Sequence, residues 1–584
     1  MLILGGCMDK RQTFLSRLEY GSELVIHFCE QLAAMANEDD PDVLLGLVAS
    51  SAIFDGHVCA DLKTLAGRTI KKDNDMRWPP LDRWIDKLQA STLVGAPGAT
   101  TPLILDANFR LYLRRYWDYQ SRLADEIKKR KCPAKVFHSV NAKDDRNRAV
   151  MLARQCKLLL ISGGPGTGKT AIVAAIIADA IDETLREDRV IPRVLTVAPT
   201  GKAAARLRES IVAAKYATGP GALECSGDAK ALIPEEALTI HRAMGKSFDH
   251  PAEFRHNKQQ PLEADIIVID EASMIDLALM TKLFEAVSPN ASIILLGDPD
   301  QLASVEAGAV FFDMCAVGAD ADADAEEILP VVHLTHSFRF GKSSGIGNLA
   351  EAVKNKDSLR AIDILCDDAF DDVSLVEMQE KTNPAQLLKK SALKFYGNYL
   401  NETNPEIAIE KLERFRVLAA LREGPFGVSG LNNEIEKILR DAQKLASNSL
   451  WYAGRPILIA SNDYSLGLFN GDIGLTVRRS SSPLSVAFPG DNNSLRFFAP
   501  SRLPAHETVF AMTVHKSQGS EYDEVAIVLP FTQSPIVNRE LLYTAVTRAR
   551  HKLTIYASKA IITKAITCQT ARASGLKDLL KIKL

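Results

Sequence analysis

The sequence predicts an α/β protein built on two doubly wound parallel sheets. A glycine-rich loop stands between an apolar strand pattern and an apolar helix pattern, which is the context that a phosphate-binding loop requires. Short continuous apolar runs alternate with helical patterns in two separate parts of the chain, as in parallel strands that are buried on both faces. A chain of 584 residues is too long for one core, so three or four domains are expected.

The N-terminal part of the chain is predicted to be mainly helical. Helical patterns cover residues 24–36 and 43–54, and a loop rich in Gly, Ala, Pro and Thr follows at 94–102. A long amphipathic helix is predicted over 107–130 and ends in the basic run 128–131. Such a run is usually a solvated helix end, and a contact with nucleic acid or with a partner is the alternative.

The first α/β region follows this helix. Helical stretches separate its strands, so a doubly wound domain is predicted. Residues 318–327 alternate alanine with acidic residues and predict a solvated loop, because the pattern has nothing to bury. They lack the glycine and the spacing of an EF-hand calcium site. The predicted strands cover residues 157–162, 194–198, 265–269 and 292–296.

The second α/β region contains an insertion. Its own elements are predicted at residues 415–421, 432–445, 524–529, 541–549 and 552–557. Four short strand patterns with turn residues between them interrupt this alternation, at 456–460, 474–478, 484–488 and 495–498. They predict a small β-barrel inserted into the second domain at about residues 453–505.

Composition excludes several classes of protein. No apolar run approaches the roughly 20 residues that a membrane span needs. The net charge is −3, so a positive field for nucleic acid has to be confined to a groove. The nine cysteines are scattered and never spaced C-x-x-C, which argues against a disulfide framework or a zinc ribbon. We therefore expect a cytoplasmic protein with reduced cysteines.

The glycine-rich loop predicts a site for a nucleoside triphosphate. Its glycines let the backbone curl so that N–H groups point at phosphate oxygens, and the next helix begins with its positive end toward the anion. Lys169 is expected to reach the β- and γ-phosphates, and the Thr170 hydroxyl to bind Mg²⁺. A glycine-rich turn without a ligand is the alternative. The loop consists of Gly163, Gly164, Pro165, Gly166, Thr167, Gly168, Lys169 and Thr170.

Polar residues follow two further strand patterns. Asp270 and Glu271 end one of them, at the edge of a parallel sheet where ligands bind. We expect Asp270 to hold Mg²⁺ through water and Glu271 to accept a proton from the attacking water. Acidic residues that begin the next helix are the alternative. Gln301 follows the next strand and is expected to orient water or to sense the γ-phosphate, unless its segment is only a turn.

Several segments resemble the motifs of superfamily 1 helicases, in the same order along the chain. They lie at residues 198–207, 238–245, 334–339, 513–519 and 543–550. The resemblance implies two RecA-like domains with ATP between them. It implies that Arg339 and Arg548 contact the γ-phosphate and that Gly519 belongs to the nucleotide site. It also implies a DNA strand held by Thr200, Lys202, His241, Thr513, His515 and Lys516, each of which alone is more often a capping or surface residue.

Other segments are similar to RecD, the family of alpha subunits of bacterial exonuclease V (RecBCD). They lie at residues 56–62, 101–116, 414–428 and 469–474. This resemblance implies an ATP-driven helicase that moves 5′→3′ on single-stranded DNA and processes DNA ends in a heterotrimer with RecB-like and RecC-like subunits. A stand-alone RecD-like repair helicase and a structural subunit with an idle motor are the alternatives.

The same resemblance implies a division of the chain. Residues 1–110 dock on the gamma subunit, 111–340 form the first motor domain, and 341–584 form the second, with an SH3-like insertion. The chain departs from the family at one point. The family reads adenine with a glutamine upstream of the phosphate loop, whereas this chain has Asp145-Arg146-Asn147-Arg148 there. Asn147 is the expected substitute, with a shorter reach.

Overall fold

The computed structural model describes most of the chain. The described residues are 11, 14, 15 and 23–581, without 72–73, 141, 143, 220–221, 246–252, 321–325, 342, 381–382, 446–448, 464, 479–482, 491–493 and 571. Half of the predicted acidic loop, residues 321–325, therefore lies outside them. Across these ranges no helix combines the length and the apolar character that a bilayer crossing needs.

The N-terminal region combines helices with a four-stranded sheet of order β1-β6-β5-β4, which the helical prediction did not include. The helix predicted from residue 107 begins only at Arg114. Residues 110–113 pair with a neighbouring strand instead, and the buried side chain of Leu111 lies opposite Leu105. The elements are α1 (Glu23–Met35), α2 (Pro41–Ser50), β1 (Ala60–Asp61), α3 (Leu62–Leu65), β2 (Thr69–Lys71), β3 (Asn74–Arg77), α4 (Leu81–Ala90), β4 (Val94–Gly95), β5 (Leu103–Leu105) and β6 (Arg110–Leu113).

A six-stranded parallel sheet, of order β10-β9-β11-β12-β8-β14, forms the centre of the first lobe. Alternate residues of its strand β8 face opposite cores, Leu158 and Leu160 on one side and Leu159 and Ile161 on the other. This burial on both faces explains the continuous apolar runs. The elements are α5 (Arg114–Lys128), β7 (Cys132–Pro133), α6 (Ala134–Ser139), α7 (Asp145–Gln155), β8 (Leu158–Gly163), α8 (Lys169–Arg186), β9 (Val194–Ala198), α9 (Gly201–Tyr216), α10 (Gly227–Leu232), β10 (Leu238–Thr239), α11 (Ile240–Met244), β11 (Ile266–Ile269), α12 (Leu277–Ala286), β12 (Ser292–Gly297), α13 (Val310–Ala319), β13 (Glu327–Ile328) and β14 (Val331–Leu334).

Two expectations for the first lobe were wrong. Arg130, in the basic run, is not solvated: it is 1% exposed, pairs with Glu126 at 2.7 Å and donates a hydrogen bond to the carbonyl of Val287. Cys132 and Cys156, expected to be reduced, form a disulfide with their Cα atoms 5.4 Å apart. Their proximity arises from packing that the sequence spacing does not display.

The second lobe is built on a five-stranded parallel sheet of order β15-β24-β23-β16-β22. A second five-stranded sheet, antiparallel and of order β20-β19-β18-β17-β21, is inserted into it. Four inserted strands were predicted, whereas the short strand β21 was not. The elements are α14 (Gly345–Lys354), α15 (Ser358–Cys366), β15 (Val373–Glu377), α16 (Pro384–Ser391), α17 (Gly397–Leu400), α18 (Pro405–Glu413), β16 (Phe415–Ala419), α19 (Val428–Asp441), β17 (Pro456–Ile459), β18 (Ile473–Val477), β19 (Ser485–Pro489), β20 (Leu495–Phe498), β21 (His506–Thr508), β22 (Ala511–Thr513), β23 (Tyr522–Val528), α20 (Arg539–Val546), β24 (Ala549–Ala557), α21 (Lys559–Thr567) and α22 (Leu576–Lys581).

The C-terminal segment leaves the second lobe and packs on the first. Arg572 donates hydrogen bonds to the carbonyls of Glu306 and Gly308, both at 2.8 Å. The backbone N–H of Gly575 donates to Gln120 on α5, and the Lys131 ammonium donates to the carbonyl of Leu580. The segment therefore ties the two lobes together.

Candidate active site

The phosphate loop joins strand β8 to helix α8. Gly166 and Gly168 have φ values of 77° and 80°, in the left-handed region that glycine adopts without strain. The Lys169 ammonium crosses the loop and donates hydrogen bonds to the carbonyls of Gly163 (2.6 Å) and Gly164 (3.1 Å). The lysine thus lies over the concave side of the loop, where the backbone curls.

The segment that follows strand β14 and leads into the second lobe approaches this loop closely. The backbone N–H of Phe338 donates to the carbonyl of Gly166 at 2.8 Å. A Cβ atom added at Gly166 would lie 2.4 Å from the Cβ of Arg339. Gly166 is therefore required both for its backbone conformation and for the approach of the arginine segment.

Two carboxylates end strand β11 beside the loop. Asp270 is 9% exposed, and its carboxylate accepts a hydrogen bond from the backbone N–H of Glu271 at 2.8 Å. Burial and the nearby charge of Glu271 raise the pKa of Asp270 to about 6, against the opposing effect of Lys169. Glu271 has a φ of 52°, a conformation that costs a non-glycine residue on the order of 1 kcal/mol and that is concentrated at functional sites.

Gln301 connects the two lobes. Its side-chain amide donates to the Asp298 carboxylate at 3.2 Å, and its side-chain oxygen accepts from the Arg548 guanidinium at 3.2 Å. Asp298 also accepts a hydrogen bond from the hydroxyl of Tyr543, at 3.1 Å. Burial raises the pKa of Asp298 and lowers that of Arg548, which is 2% exposed. A polar chain thus runs from the first lobe to the buried arginine of the second.

Glu521 lies among the arginines of the cleft. It pairs with Arg339, with Arg550 at 3.2 Å and with Arg206 at 3.6 Å. Burial by itself raises the pKa of Glu521, but the charges of Arg339, Arg206 and Arg548 outweigh burial and lower it to about 2. The carboxylate therefore stays ionised and holds guanidinium groups of both lobes in fixed positions.

One cleft of about 540 Å³ gathers most of the predicted nucleotide residues. Gly163 and Gly164 do not line the cleft, but their carbonyls accept hydrogen bonds from Lys169, which does. The cleft also contains Arg206, Glu521 and Arg550, which sequence reasoning missed although each lies within or beside a helicase-like segment. The predicted residues that line it are Pro165, Gly166, Thr167, Gly168, Lys169, Thr170, Asp270, Glu271, Gln301, Arg339, Gly519 and Arg548.

Asn147 does not lie with these residues. It is exposed at the beginning of helix α7, where its backbone N–H and its side-chain amide both donate to the Asp144 carboxylate, at 2.8 and 3.1 Å. The cleft lining does not include it. Its observed contacts are those of a helix cap.

The predicted DNA-contacting residues lie in two groups, each after strands of one lobe. In the first lobe, Thr200 caps helix α9 and Lys202 lies 5.7 Å from the ring centroid of Tyr522. His241, on α11, packs edge-on against Phe254. Burial lowers the pKa of His241. The capping role of Thr200 corresponds to the alternative reading of that residue.

The second group follows strand β22. The Thr513 hydroxyl accepts a hydrogen bond from the backbone N–H of Lys516 at 3.3 Å, and Lys516 pairs with Glu507 at 2.7 Å. Burial and the charge of Arg572 lower the pKa of His515. None of these contacts joins the second group to the first directly.

Two lobes, each built on a parallel sheet, face one cleft. One lobe contributes a phosphate loop and carboxylates, and the other contributes the buried arginine Arg548. This arrangement defines a P-loop motor of the superfamily 1 helicase type. Family models match three parts of the chain: the RecBCD enzyme subunit RecD, N-terminal domain (residues 21–112), an AAA domain (146–307) and the UvrD-like helicase C-terminal domain (508–556). The chain belongs to the RecD family. It is an ATP-dependent DNA helicase of the RecD type.

Two relatives that are named RecBCD enzyme subunit RecD support this membership. The RecBCD enzyme subunit RecD of Mycolicibacterium smegmatis is 35% identical, over 97% of this chain and 99% of the relative. The subunit of Haemophilus influenzae is 34% identical over 81% of this chain and 80% of its own. The ATP-dependent RecD2 DNA helicase of Deinococcus radiodurans is 28% identical over 68% of this chain and 46% of its own. Among solved structures, Bacteroides Pif1 bound to single-stranded DNA matches with a TM-score of 0.40 and 15% identity, over 72% of this chain and 94% of that one.

Proposed function

We propose that this chain is the motor of a RecBCD-type helicase–nuclease that acts at DNA ends in double-strand break repair and recombination. It translocates 5′→3′ on single-stranded DNA in a cytoplasmic heterotrimer with RecB-like and RecC-like subunits. The observation that carries the proposal is the polar chain Asp298–Gln301–Arg548, because it links the two lobes at the cleft that holds the phosphate loop.

The cleft supports phosphoryl transfer from ATP to water. Lys169 exchanges its contacts with the loop carbonyls for the β- and γ-phosphates, and Arg339 and Arg548 stabilise the charge that develops on the γ-phosphoryl oxygens. Glu271 accepts a proton from the attacking water while the bond between the γ-phosphorus and the β-phosphate oxygen breaks. Mg²⁺, when bound, neutralises phosphate charge. The Thr170 hydroxyl and the Asp270 carboxylate are oxygen ligands of the kind it takes, and both line the cleft.

Gln301 is the residue through which hydrolysis would reach the other lobe. Its amide contacts Asp298 in its own lobe and Arg548 in the other. A change in the γ-phosphate that moves Arg548 therefore changes a contact with the first lobe directly. Thr544 and Gln518 add two further links, to the N–H and to the carbonyl of Leu302, both at 2.9 Å.

The two groups of DNA-contacting residues would hold one strand across both lobes. When the lobes close and open in the ATP cycle, Thr200, Lys202 and His241 move relative to Thr513, His515 and Lys516. Alternating grip by the two groups would move the strand in one direction. Lys516 would exchange its ion pair with Glu507 for a DNA phosphate.

The division of labour along the chain is also a proposal. Residues 1–110 would dock on the RecC-like subunit, 111–340 would form the first motor domain and 341–584 the second, with the antiparallel sheet as an SH3-like insertion at about 453–505. The match of residues 21–112 to the RecD N-terminal domain supports a separate N-terminal unit.

Unwinding of tailed duplexes tests the proposed function. The purified chain, alone and with its RecB-like and RecC-like partners, should unwind duplexes with a 5′ single-stranded tail. The chain alone should leave 3′-tailed duplexes intact. The Lys169→Gln chain in the same assembly is the matched control. Unwinding that requires a 3′ tail would contradict the polarity, and equal rates with the Lys169→Gln chain would show that the motor is idle.

A further inference from the structure

Helix α5 carries a basic and aromatic face outside the nucleotide cleft. The residues that line this open pocket lie three and four positions apart, so they share one side of the helix. None of them belongs to a superfamily 1 motif, and only Arg114 and Arg115 lie in a segment similar to RecD. We call this surface the α5 arginine face; it consists of Arg114, Arg115, Asp118, Tyr119, Ser121 and Arg122.

Tyr119 orders two of these arginines. The guanidinium carbons of Arg115 and Arg122 lie 5.5 and 5.2 Å from the centroid of its ring. The Tyr119 hydroxyl accepts from two nitrogens of Arg115, at 3.3 and 3.4 Å. Long, exposed side chains are costly to order on binding, and contacts with an aromatic ring reduce that cost because they hold the guanidinium groups in place beforehand.

The positive charge of this face is only partly compensated. Arg114 lies 3.6 Å from Asp118, and Arg122 lies 3.2 Å from Glu285 of helix α12. Arg115 is exposed and has no carboxylate partner among the ion pairs of the described residues. An exposed guanidinium that is not paired with a carboxylate offers several N–H donors in a fixed geometry to a phosphate.

The face continues toward the proposed DNA path. Helix α12 packs against α5, where the Thr281 hydroxyl donates to the carbonyl of Tyr119 at 3.1 Å. Lys282 lies one helical turn from Glu285 and 5.4 Å from the ring centroid of Phe254. The Phe254 ring in turn lies 5.6 Å from that of His241. Basic and aromatic side chains therefore follow one another from His241 to Lys282, and Glu285 lies between Lys282 and Arg122.

We propose that the α5 arginine face, with Lys282 and Phe254, binds the part of the single-stranded DNA that lies beyond His241. Arg115, Arg122 and Lys282 contact phosphates, and Phe254 offers a surface for a base. The inference rests on the proposed function, because it extends the track of the same strand. An acidic partner segment has the charge to fit the arginines. The interleaved aromatic rings and the continuity with His241 favour DNA.

The dependence of binding on DNA length tests this proposal. The variant is the full chain with Arg115→Glu and Arg122→Glu. The control is Arg360→Glu with Arg414→Glu, which makes the same charge change at exposed, ion-paired arginines of the second lobe. Affinities for oligothymidylates of increasing length are measured by fluorescence anisotropy at several salt concentrations, together with DNA-stimulated ATP hydrolysis and the melting temperature.

The wild-type chain and the control should gain affinity with oligonucleotides longer than the motor itself covers, whereas the variant should not. On the longest oligonucleotide we expect roughly tenfold weaker binding at low salt. The slope of log affinity against log salt should be shallower by about 1.4, which corresponds to two phosphate contacts. Short oligonucleotides should bind all three proteins equally and stimulate ATP hydrolysis equally. A second variant, Arg115→Lys with Arg122→Lys, should keep most of the gain.

Two results would overturn the proposal without touching the motor. One is the same length dependence and salt slope in the variant and the control. The other is a variant that keeps its DNA binding but no longer assembles with the partner subunits, which would assign the face to a protein interface. If short DNA failed to stimulate ATP hydrolysis even in the wild-type chain, the proposed function itself would fall first.

Discussion

The two lobes meet at one cleft but fix their charged groups in different ways. In the first lobe, Lys169 and Asp270 are held by the backbone of their own segments: the lysine by loop carbonyls, the aspartate by the next N–H. Arg339, in the connection that follows β14, pairs with the Glu521 carboxylate of the second lobe. Arg548 donates to Gln301 of the first lobe as well as to the carbonyls of Thr544 and Ser520 in its own lobe. A substitution of Lys169 or Asp270 should therefore affect the first lobe, whereas a substitution in the arginine network should affect both lobes.

The difference has a physical reason. A phosphate loop must present its donors to every nucleotide that enters, so it is built from backbone and from a single cation. Arginines that cap the γ-phosphate from a moving lobe need positions that depend on the closure of the cleft. A network through Gln301 and Glu521 makes their position depend on both lobes. The following predictions test this comparison.

The largest effect is expected in the first lobe. Lys169→Gln should reduce DNA-stimulated ATP hydrolysis by at least about 10³-fold, because the β- and γ-phosphates lose their cation. Lys157→Gln is the matched control, since Lys157 immediately precedes β8 at the end of the strand opposite the phosphate loop and its ammonium donates to the carbonyl of Pro289. Phosphate release at saturating DNA is the measurement. Near-normal turnover of the Lys169 variant would remove Lys169 from the reaction.

In the second lobe, Arg548→Ala should lower kcat by about 10³-fold or more, the scale of an arginine finger. Nucleotide binding should persist, because the phosphate loop is untouched. Arg414→Ala is the control, because Arg414 is an exposed arginine of the same lobe that pairs with Glu410 and does not line the cleft. Turnover and the Kd of a fluorescent nucleotide are measured together. Equal loss of binding and turnover would place Arg548 in nucleotide binding instead of transition-state stabilisation.

The two lobes also differ in how far the sequence predicts them. The phosphate loop and the carboxylates after β11 follow from local patterns, because each needs only a strand, a turn and a helix in sequence. Glu521 and Arg206 have no such pattern: their importance depends on the packing of one lobe on the other, which brings Arg206 within 3.6 Å of Glu521. The family resemblance supplied Arg339 and Arg548, but not the carboxylate that pairs with Arg339.

Errors in the predicted elements have the same origin. Residues 110–113 carry a helical pattern but form β6, because their backbone groups pair with β5. The short strand β21 lacks an apolar run and exists by pairing with β17. Arg130 looks solvated in sequence but is buried against Glu126 and the carbonyl of Val287. In each case a contact distant in sequence overrides the local pattern.

The raised pKa of Asp270 leads us to expect a pH effect of intermediate size on ATP hydrolysis. With a pKa of about 6 instead of the usual value near 4, its carboxylate is ionised at pH 7.5 and mostly protonated at pH 5. Because only the ionised form attracts Mg²⁺, the Mg²⁺ concentration for half-maximal ATP hydrolysis should rise about tenfold between these pH values, beyond the change that the nucleotide phosphates cause. The Asp270→Asn variant has no carboxylate at this position to titrate, so its pH dependence gives the contribution of the nucleotide phosphates alone. A wild-type shift equal to that of Asp270→Asn would contradict the prediction.

The smallest effect is expected for Glu521, which positions other groups. Glu521→Gln keeps the shape but removes the charge that holds Arg339, Arg206 and Arg550. We expect kcat to fall by roughly tenfold or less, with little change in nucleotide affinity, because the arginines remain but are less well placed. Glu521→Asp should restore part of the loss. If Glu521→Gln instead weakened nucleotide binding and left kcat intact, Glu521 would contact the nucleotide itself and the network would not set the position of the arginines.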